Sequence, residues 1–346
     1  MTETQIVREP LSGPAAWRGE DLTPADYLYE LSGDEIDAIV ALRDDVIERD
    51  LGLGQIAPDT VAAPGMETAI ADWLDRLENG IGFVVVRGLD IDGWTERQAG
   101  VAYYALGRQM GAPVKQNAAG HLLGHVRDTG KDIFTDPSAR GYQVRIPLPF
   151  HTDTSTDLLS LMCLRTAKEG GESALAPLQT VYNAVLASRP DLIDTYYRSF
   201  NFDCRDEEHP DGGPFYTRVL ASVGPDGRFS LRHNSGYARS AAQRFDECEP
   251  LTDQQDELLG LVDMLCQDPA LHLRFTLQQG DIVLVNNYAV AHSRSGFEDH
   301  DDPDLKRHLL RLWLVLHQGR ELAADFDNRA GLATTADVVE DGLARV

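Results

Sequence analysis

Basic residues are scarce in this 346-residue chain. Its 31 Lys and Arg stand against 56 Asp and Glu, a formal net charge of −25. A protein that binds a phosphate backbone needs a basic excess to replace counterions, so this balance excludes nucleic acid as a partner. An anionic membrane surface is excluded on the same ground. Cysteine is nearly absent too. Cys163, Cys204, Cys248 and Cys266 are scattered with no C-x-x-C pair, which fits neither a disulfide frame nor a thiolate zinc site. Reduced thiols of this kind predict a cytoplasmic protein. No apolar run approaches the roughly 20 residues of a spanning helix, and the opening MTETQIVREPLSGP has no apolar core of a secretory signal. Internal repeats and low-complexity tracts are also missing. What is present is ordinary globular material, with 42% hydrophobic, 25% charged and 8% aromatic residues, enough for a sizeable core. The expected partner is a small molecule, and a homo-oligomer is compatible with this composition.

The first third reads as helical. Ser32 and Glu35 form a capping-box pattern ahead of Ile36, Ile39, Val40 and Val46. Ala69, Ile70, Trp73, Leu74 and Leu77 mark a second amphipathic helix, with Gly80 at the position of a C′ glycine. Residues 82–86 form a short β-branched strand. Thr95, with Gln98 three residues on, caps a third helix. From about Lys115 the texture becomes short strands broken by Gly, Pro and Asp turns. Helical segments near 178–187 and 252–266 interrupt it, and the last strands are expected at 281–285 and 308–316. This spacing predicts an α+β, mainly β protein, an antiparallel barrel or jelly roll with helical insertions. Residues 1–80 would be a helical cover, 81–325 the barrel and 326–346 a tail.

The most informative residues are His151 and Asp153, in Phe-His-Thr-Asp. On a strand, positions i and i+2 face the same side, so imidazole and carboxylate would converge. Such a mixed pair suits Fe(II) or Mn(II) and needs a third ligand. His292, after the apolar run 282–285 and a polar turn, is the candidate. A strand at 307–314 would put Arg307, Leu309, Arg311 and Trp313 on one face and His308, Leu310, Leu312 and Leu314 on the other. Two arginines on an apolar strand, if buried, need an anion, and a bidentate carboxylate ligand supplies one. Arg232, His233, Asn234 and Tyr237 form a polar cluster in a region read as β-rich, and His233 is a candidate pocket residue. His121 and His125 are four apart, but Gly120 and Gly124 argue for a loop or strand there.

Taken together, the His-Thr-Asp at 151–153, the Gly-Gly-Glu-Ser at 170–173, the G-D-x-V-x-x-N-N approach to His292, and Arg307 with Arg311 resemble the TauD/TfdA family of iron(II) and 2-oxoglutarate-dependent dioxygenases. The resemblance spans roughly residues 80–320. It implies a double-stranded β-helix in which His151, Asp153 and His292 hold Fe(II), Arg307 grips the distal carboxylate of the cosubstrate 2-oxoglutarate, and Ser173 touches the same cosubstrate. Arg311 matches a position that holds the anionic substrate in sulfonate-using relatives. Gln116 and Asn117 lie where relatives carry substrate contacts. Pro147 stands where taurine-using relatives present an Asn, and 111–117 lacks their His-rich loop, so taurine is disfavoured. The implied reaction consumes O₂, releases succinate and CO₂, and with Asp153 filling the carboxylate position favours hydroxylation of an unactivated C–H over halogenation. The expected substrate is a small anionic or zwitterionic metabolite. The rival reading is a non-catalytic metal- or ligand-binding jelly roll, and a weaker one is a zinc hydrolase.

Overall fold

The computed structural model describes residues 5–329 apart from 118, 132–134, 136–138, 155 and 206–212. Two antiparallel sheets face each other. The larger is built from β1 (Leu28–Glu30), β2 (Phe83–Arg87), β3 (Gly111–Pro113), β4 (Leu123–Val126), β6 (Leu158–Arg165), β9 (Ile282–Asn286) and β11 (His308–Leu316), in the order β1-β2-β9-β6-β11-β3 with β4 also on β11. The smaller contains β5 (Leu148–His151), β7 (Ser173–Pro177), β8 (Leu273–Phe275) and β10 (Val290–Arg294), in the order β8-β7-β10-β5. This is the expected jelly roll. Only the β1/β2 pair is parallel within these sheets, and β1 carries the larger sheet into the segment read from sequence as a purely helical cover.

Side-chain alternation sorts the core into layers. Val283 and Val285 on β9, Leu159 and Cys163 on β6, Leu175 on β7, Val290 on β10 and Leu309 on β11 share the cluster between the sheets. Their neighbours Ile282, Leu284, Met162, Leu310 and Leu312 face outward into a second cluster. There they meet three helices, α1 (Gly33–Glu48), α2 (Glu67–Glu78) and α3 (Glu96–Met110). The smaller sheet is backed by α4 (Leu178–Ser188) and α6 (Asp253–Cys266), whose Val181, Tyr182, Leu258 and Val262 pack beneath Ala176 and Ala291. The barrel is therefore sheathed by helices on both outer faces.

Local signals account for the helices. Ser32 accepts from the Glu35 amide while the Glu35 carboxylate accepts from that of Ser32, and Thr95 and Gln98 repeat the arrangement on α3. Two expectations need correction. Gly80 is not left-handed; it is a glycine because a Cβ there would come within 2.6 Å of the Arg76 carbonyl oxygen. The region around 232–237 is not all β: Phe229–Leu231 is a short strand, and α5 (Ser235–Arg244) follows, with the Asn234 side chain accepting from the Tyr237 amide as its N-cap.

Candidate active site

His151 ends β5, and its Cα partner across the ladder is His292 on β10. The pairing brings the imidazoles to a ring-centroid separation of 4.2 Å. Asp153 lies past the end of β5, so its approach comes from a turn and not from the strand pleat that the sequence suggested. Asn287 makes that turn: its Oδ1 accepts from the Asp153 amide at 2.8 Å, and its Nδ2 donates to the carbonyls of Asp153 and Thr156, each at 2.9 Å. The Thr152 amide is tied to the His233 carbonyl at 2.7 Å. Asp153 Oδ1 then sits 3.9 Å from His151 Nε2, and Oδ2 sits 3.8 Å from His292 Nε2.

The donor set fits a divalent iron. His151 Nδ1 lies 2.8 Å from the Pro149 carbonyl, which can only accept, so Nδ1 carries the proton and Nε2 offers its lone pair to the site. Trp313 Nε1 donates to Asp153 Oδ2 at 2.7 Å, leaving Oδ1 as the free oxygen. Burial keeps both imidazoles neutral, the form that binds metal. It lowers the His151 pKa, and it pushes His292 down to about 3 with the neighbouring His151 adding to the effect. His292 Nδ1 is buried without a hydrogen-bond partner.

The two arginines of the last strand behave differently. Arg307 immediately precedes β11, where the pairing with β6 slips between His308 and Leu309. It is 5% exposed, its Nη1 is buried without a partner, and its guanidinium donates no hydrogen bond to any described residue. Room for it comes from Gly171: a Cβ there would stand 3.0 Å from Arg307 Nε, and the φ of +73° also favours glycine. This explains the Gly-Gly of the sequence motif. Ser173 follows on β7, on the strand face that carries Leu175 into the barrel interior. Arg311 lies against two aromatic rings, with Cζ 4.7 Å from the Tyr142 ring centroid and 4.3 Å from that of Trp313. Its Nε donates to Gln116 Oε1 at 2.7 Å, and its charge helps depress both His151 and His292.

The other residues singled out from sequence take supporting positions. Gln116 donates to the carbonyls of Leu122 and Arg311 as well as accepting from Arg311, so its amide is fully engaged in holding that arginine. Asn117 closes its own loop onto His121. The His233 ring points to α6, where Nε2 meets Asp263 Oδ1 at 2.7 Å; its backbone reaches the turn that carries Asp153. Sequence reading passed over Trp313 as a carboxylate partner, Asn287 as the tether, Tyr142, and Arg294, which sits two residues past His292. A second group of possible ligands, Glu96, His125 and His308, lies on the opposite face of β11. There Arg165 Nη2 stands 3.2 Å from His308 Nδ1 and must be the donor, and His308 Nε2 lies 2.9 Å from His125 Nδ1. A cation already at that imidazole makes this a hydrogen-bonded chain in place of a metal centre.

Two imidazoles and a carboxylate opening into a jelly roll, with a buried arginine whose Nη1 has no hydrogen-bond partner, are the parts of a non-haem iron(II) oxygenase. Residues 50–313 match the taurine catabolism dioxygenase TauD, TfdA family, and the chain belongs to it. It is a 2-oxoglutarate-dependent dioxygenase that uses Fe(II), which sets aside the non-catalytic barrel and the zinc hydrolase. Among similar proteins, FR-33289 synthase of Streptomyces rubellomurinus is 29% identical over 342 residues, covering 96% of this chain and 98% of that one. The taurine hydroxylase-like protein SAT17 of Stachybotrys chartarum is 29% identical over 322 residues, covering 87% and 79%. An asparagine oxygenase solved with Fe(II), (2S,3S)-3-hydroxyasparagine and succinate superposes with a TM-score of 0.64 at 17% identity, over 84% of this chain and 93% of that one. The non-haem iron oxygenase OrfP, solved with Fe and alpha-ketoglutaric acid, gives 0.62 at 16%, over 83% and 94%. At these identities the likeness to the solved structures is one of fold. No helix among the described residues is long and apolar enough to cross a membrane.

Proposed function

We propose that this dioxygenase hydroxylates an unactivated C–H bond of a small anionic or zwitterionic metabolite. His151, Asp153 and His292 hold the iron, Arg307 and Ser173 receive the distal carboxylate of 2-oxoglutarate, and Arg311 receives the acidic group of the substrate. Bound iron(II) lets O₂ and 2-oxoglutarate supply the oxidising power: one oxygen atom enters the substrate C–H bond, the other enters succinate, and CO₂ leaves. The protein's own task is to orient the target carbon and keep water out.

The observation that carries the substrate class is Arg311. Two aromatic rings lie against its guanidinium and Nε is held by Gln116, while its terminal nitrogens hydrogen-bond to no described residue. Such a group is pre-oriented for an anion. The ligands named with the similar structures, hydroxyasparagine and (3S)-hydroxy-L-Arg, and the name taurine hydroxylase-like agree with an amino-acid-like substrate. A reducing cytoplasm suits the four free cysteines.

The test begins with anaerobic addition of Fe(II) and 2-oxoglutarate, which should give a weak visible charge-transfer band that His151→Ala and His292→Ala lose. Succinate release is then screened against amino, carboxylic and sulfonic acids. The acid that stimulates it should show a raised KM with Arg311→Ala, while uncoupled 2-oxoglutarate decarboxylation persists. Stimulation by neutral, apolar compounds alone would overturn the substrate class. Turnover at the parent rate in either histidine variant would overturn the metal assignment.

A further inference from the structure

Arg294 lies two residues beyond His292 on β10, so the two side chains share the barrel-facing side of the strand. Its Cα partner on β7 is Ser173, and cross-strand partners project to the same face. The guanidinium is buried and is held by main-chain oxygens: Nε donates to Ser295 at 3.2 Å, and Nη2 donates to Val144 at 2.9 Å and to Ile146. Nη1 donates no hydrogen bond to any described residue, and no described carboxylate lies within ion-pair distance of Arg294 or of Arg307. One aromatic ring lies against both: Cζ of Arg294 is 4.7 Å and Cζ of Arg307 is 5.2 Å from the Phe297 centroid.

Two buried guanidiniums around one ring, which Asp299 and Asp128 reach only from beyond ion-pair distance, repel each other and forgo hydration. The fold alone does not call for this, since a neutral donor could serve the carbonyls of residues 144 and 146. An anion between the two would repay both costs. We infer that Arg294 is the second arm of the distal carboxylate clamp. With Arg307 and the Ser173 hydroxyl it receives the far carboxylate of 2-oxoglutarate, and it sets the preference for a 2-oxo acid that carries that carboxylate over one that lacks it. With Nε and Nη2 already fixed by carbonyls, the free edge is held in place and loses little freedom on binding. The inference rests on the reading of Arg307 given above.

The experiment is a calorimetric titration of the iron(II)-loaded enzyme under argon, so that binding and not turnover is read. The ligands are 2-oxoglutarate and 2-oxopentanoate, which has the same chain length without the distal carboxylate. The parent enzyme should prefer 2-oxoglutarate strongly, and Arg307→Ala should erase that preference. Arg294→Gln should weaken 2-oxoglutarate roughly tenfold or more, the loss of a charge-assisted hydrogen bond, and leave 2-oxopentanoate unchanged. If the Gln variant does not fold, Arg294→Lys decides, with a preference reduced severalfold supporting the clamp. An unchanged preference in either Arg294 variant, or equal weakening of both acids, would reduce Arg294 to a brace for residues 144–146 and overturn the inference while Arg307 keeps its role. A preference that survives Arg307→Ala would overturn the reading of Arg307 and the clamp with it.

Discussion

Burying a charge without a direct ion pair costs several kcal/mol, and the barrel does so at Arg307: Asp299 acts on it from beyond ion-pair distance, and its Nη1 has no hydrogen-bond partner. Such a side chain suits the proposed role of receiving a carboxylate that the folded chain does not itself supply. Asp153 shows the opposite economy. Trp313 donates to Oδ2 at 2.7 Å, which orients the carboxylate and leaves one oxygen free to coordinate. In the proposed iron site, a partner of a metal ligand at this remove typically governs affinity by roughly 10–100-fold. Trp313→Phe keeps an aromatic ring beside Arg311 and deletes the N–H together with part of the indole's bulk. It should therefore weaken iron(II) binding within that range, read by anaerobic titration against a chelating dye, while 2-oxoglutarate affinity of the iron-saturated enzyme stays near the parent value. A variant that holds iron as tightly as the parent would show that the indole does not orient the carboxylate.

Elements place these residues, and their legibility in the sequence depends on range. Capping boxes at Ser32 and Thr95 lie within four residues of their partners and could be read directly, as could the alternation of β11 that sends Arg311 and Trp313 to one face and Leu310 and Leu312 to the other. α5 could not. It buries little apolar surface beyond Ala238 and Ala241, and Asn234-Ser235-Gly236 looks like a turn until the chain beyond it coils. The candidate site was legible as residue types, through the His-x-Asp, the distal His and the arginine pair; its construction was not. Asn287 closes onto Asp153 across 134 positions and Gln116 onto Arg311 across 195, distances at which a single sequence carries no local signal. Asn287 also defines a prediction for its turn. Asn287→Ala removes the donor to two carbonyls and the acceptor of the Asp153 amide, so stability should fall by roughly 2–4 kcal/mol, read by chemical denaturation, and iron affinity should fall with it. Unchanged stability would mean that the turn holds its shape without the tether.

At the scale of the whole molecule, an acidic chain of net −25 keeps Arg294, Arg307 and Arg311 buried at the barrel. His308 marks where that interior cation field reaches the opposite face of β11. Burial pushes its pKa down to about 3, with His125, Arg127, Arg165 and Arg307 adding to the effect, against Glu96 at 3.5 Å as the nearby acid. The folded state thus refuses a proton that the unfolded chain accepts near pH 6.5. A histidine depressed in this way contributes stability that is fully present above its unfolded pKa and is lost as pH falls from there toward the folded value. Between pH 6.5 and 5 the loss from this one group should be roughly 1.5–2 kcal/mol. His151 and His292 follow the same law in the metal-free protein, so the measurement is a difference. Denaturant unfolding of the parent and of His308→Gln should be compared at several pH values in this window without metal. The parent's stability should fall more steeply, by about that amount, and the two curves should converge on acidification. Parallel curves would mean that His308 takes up its proton in the folded state, with Glu96 outweighing burial and the neighbouring arginines.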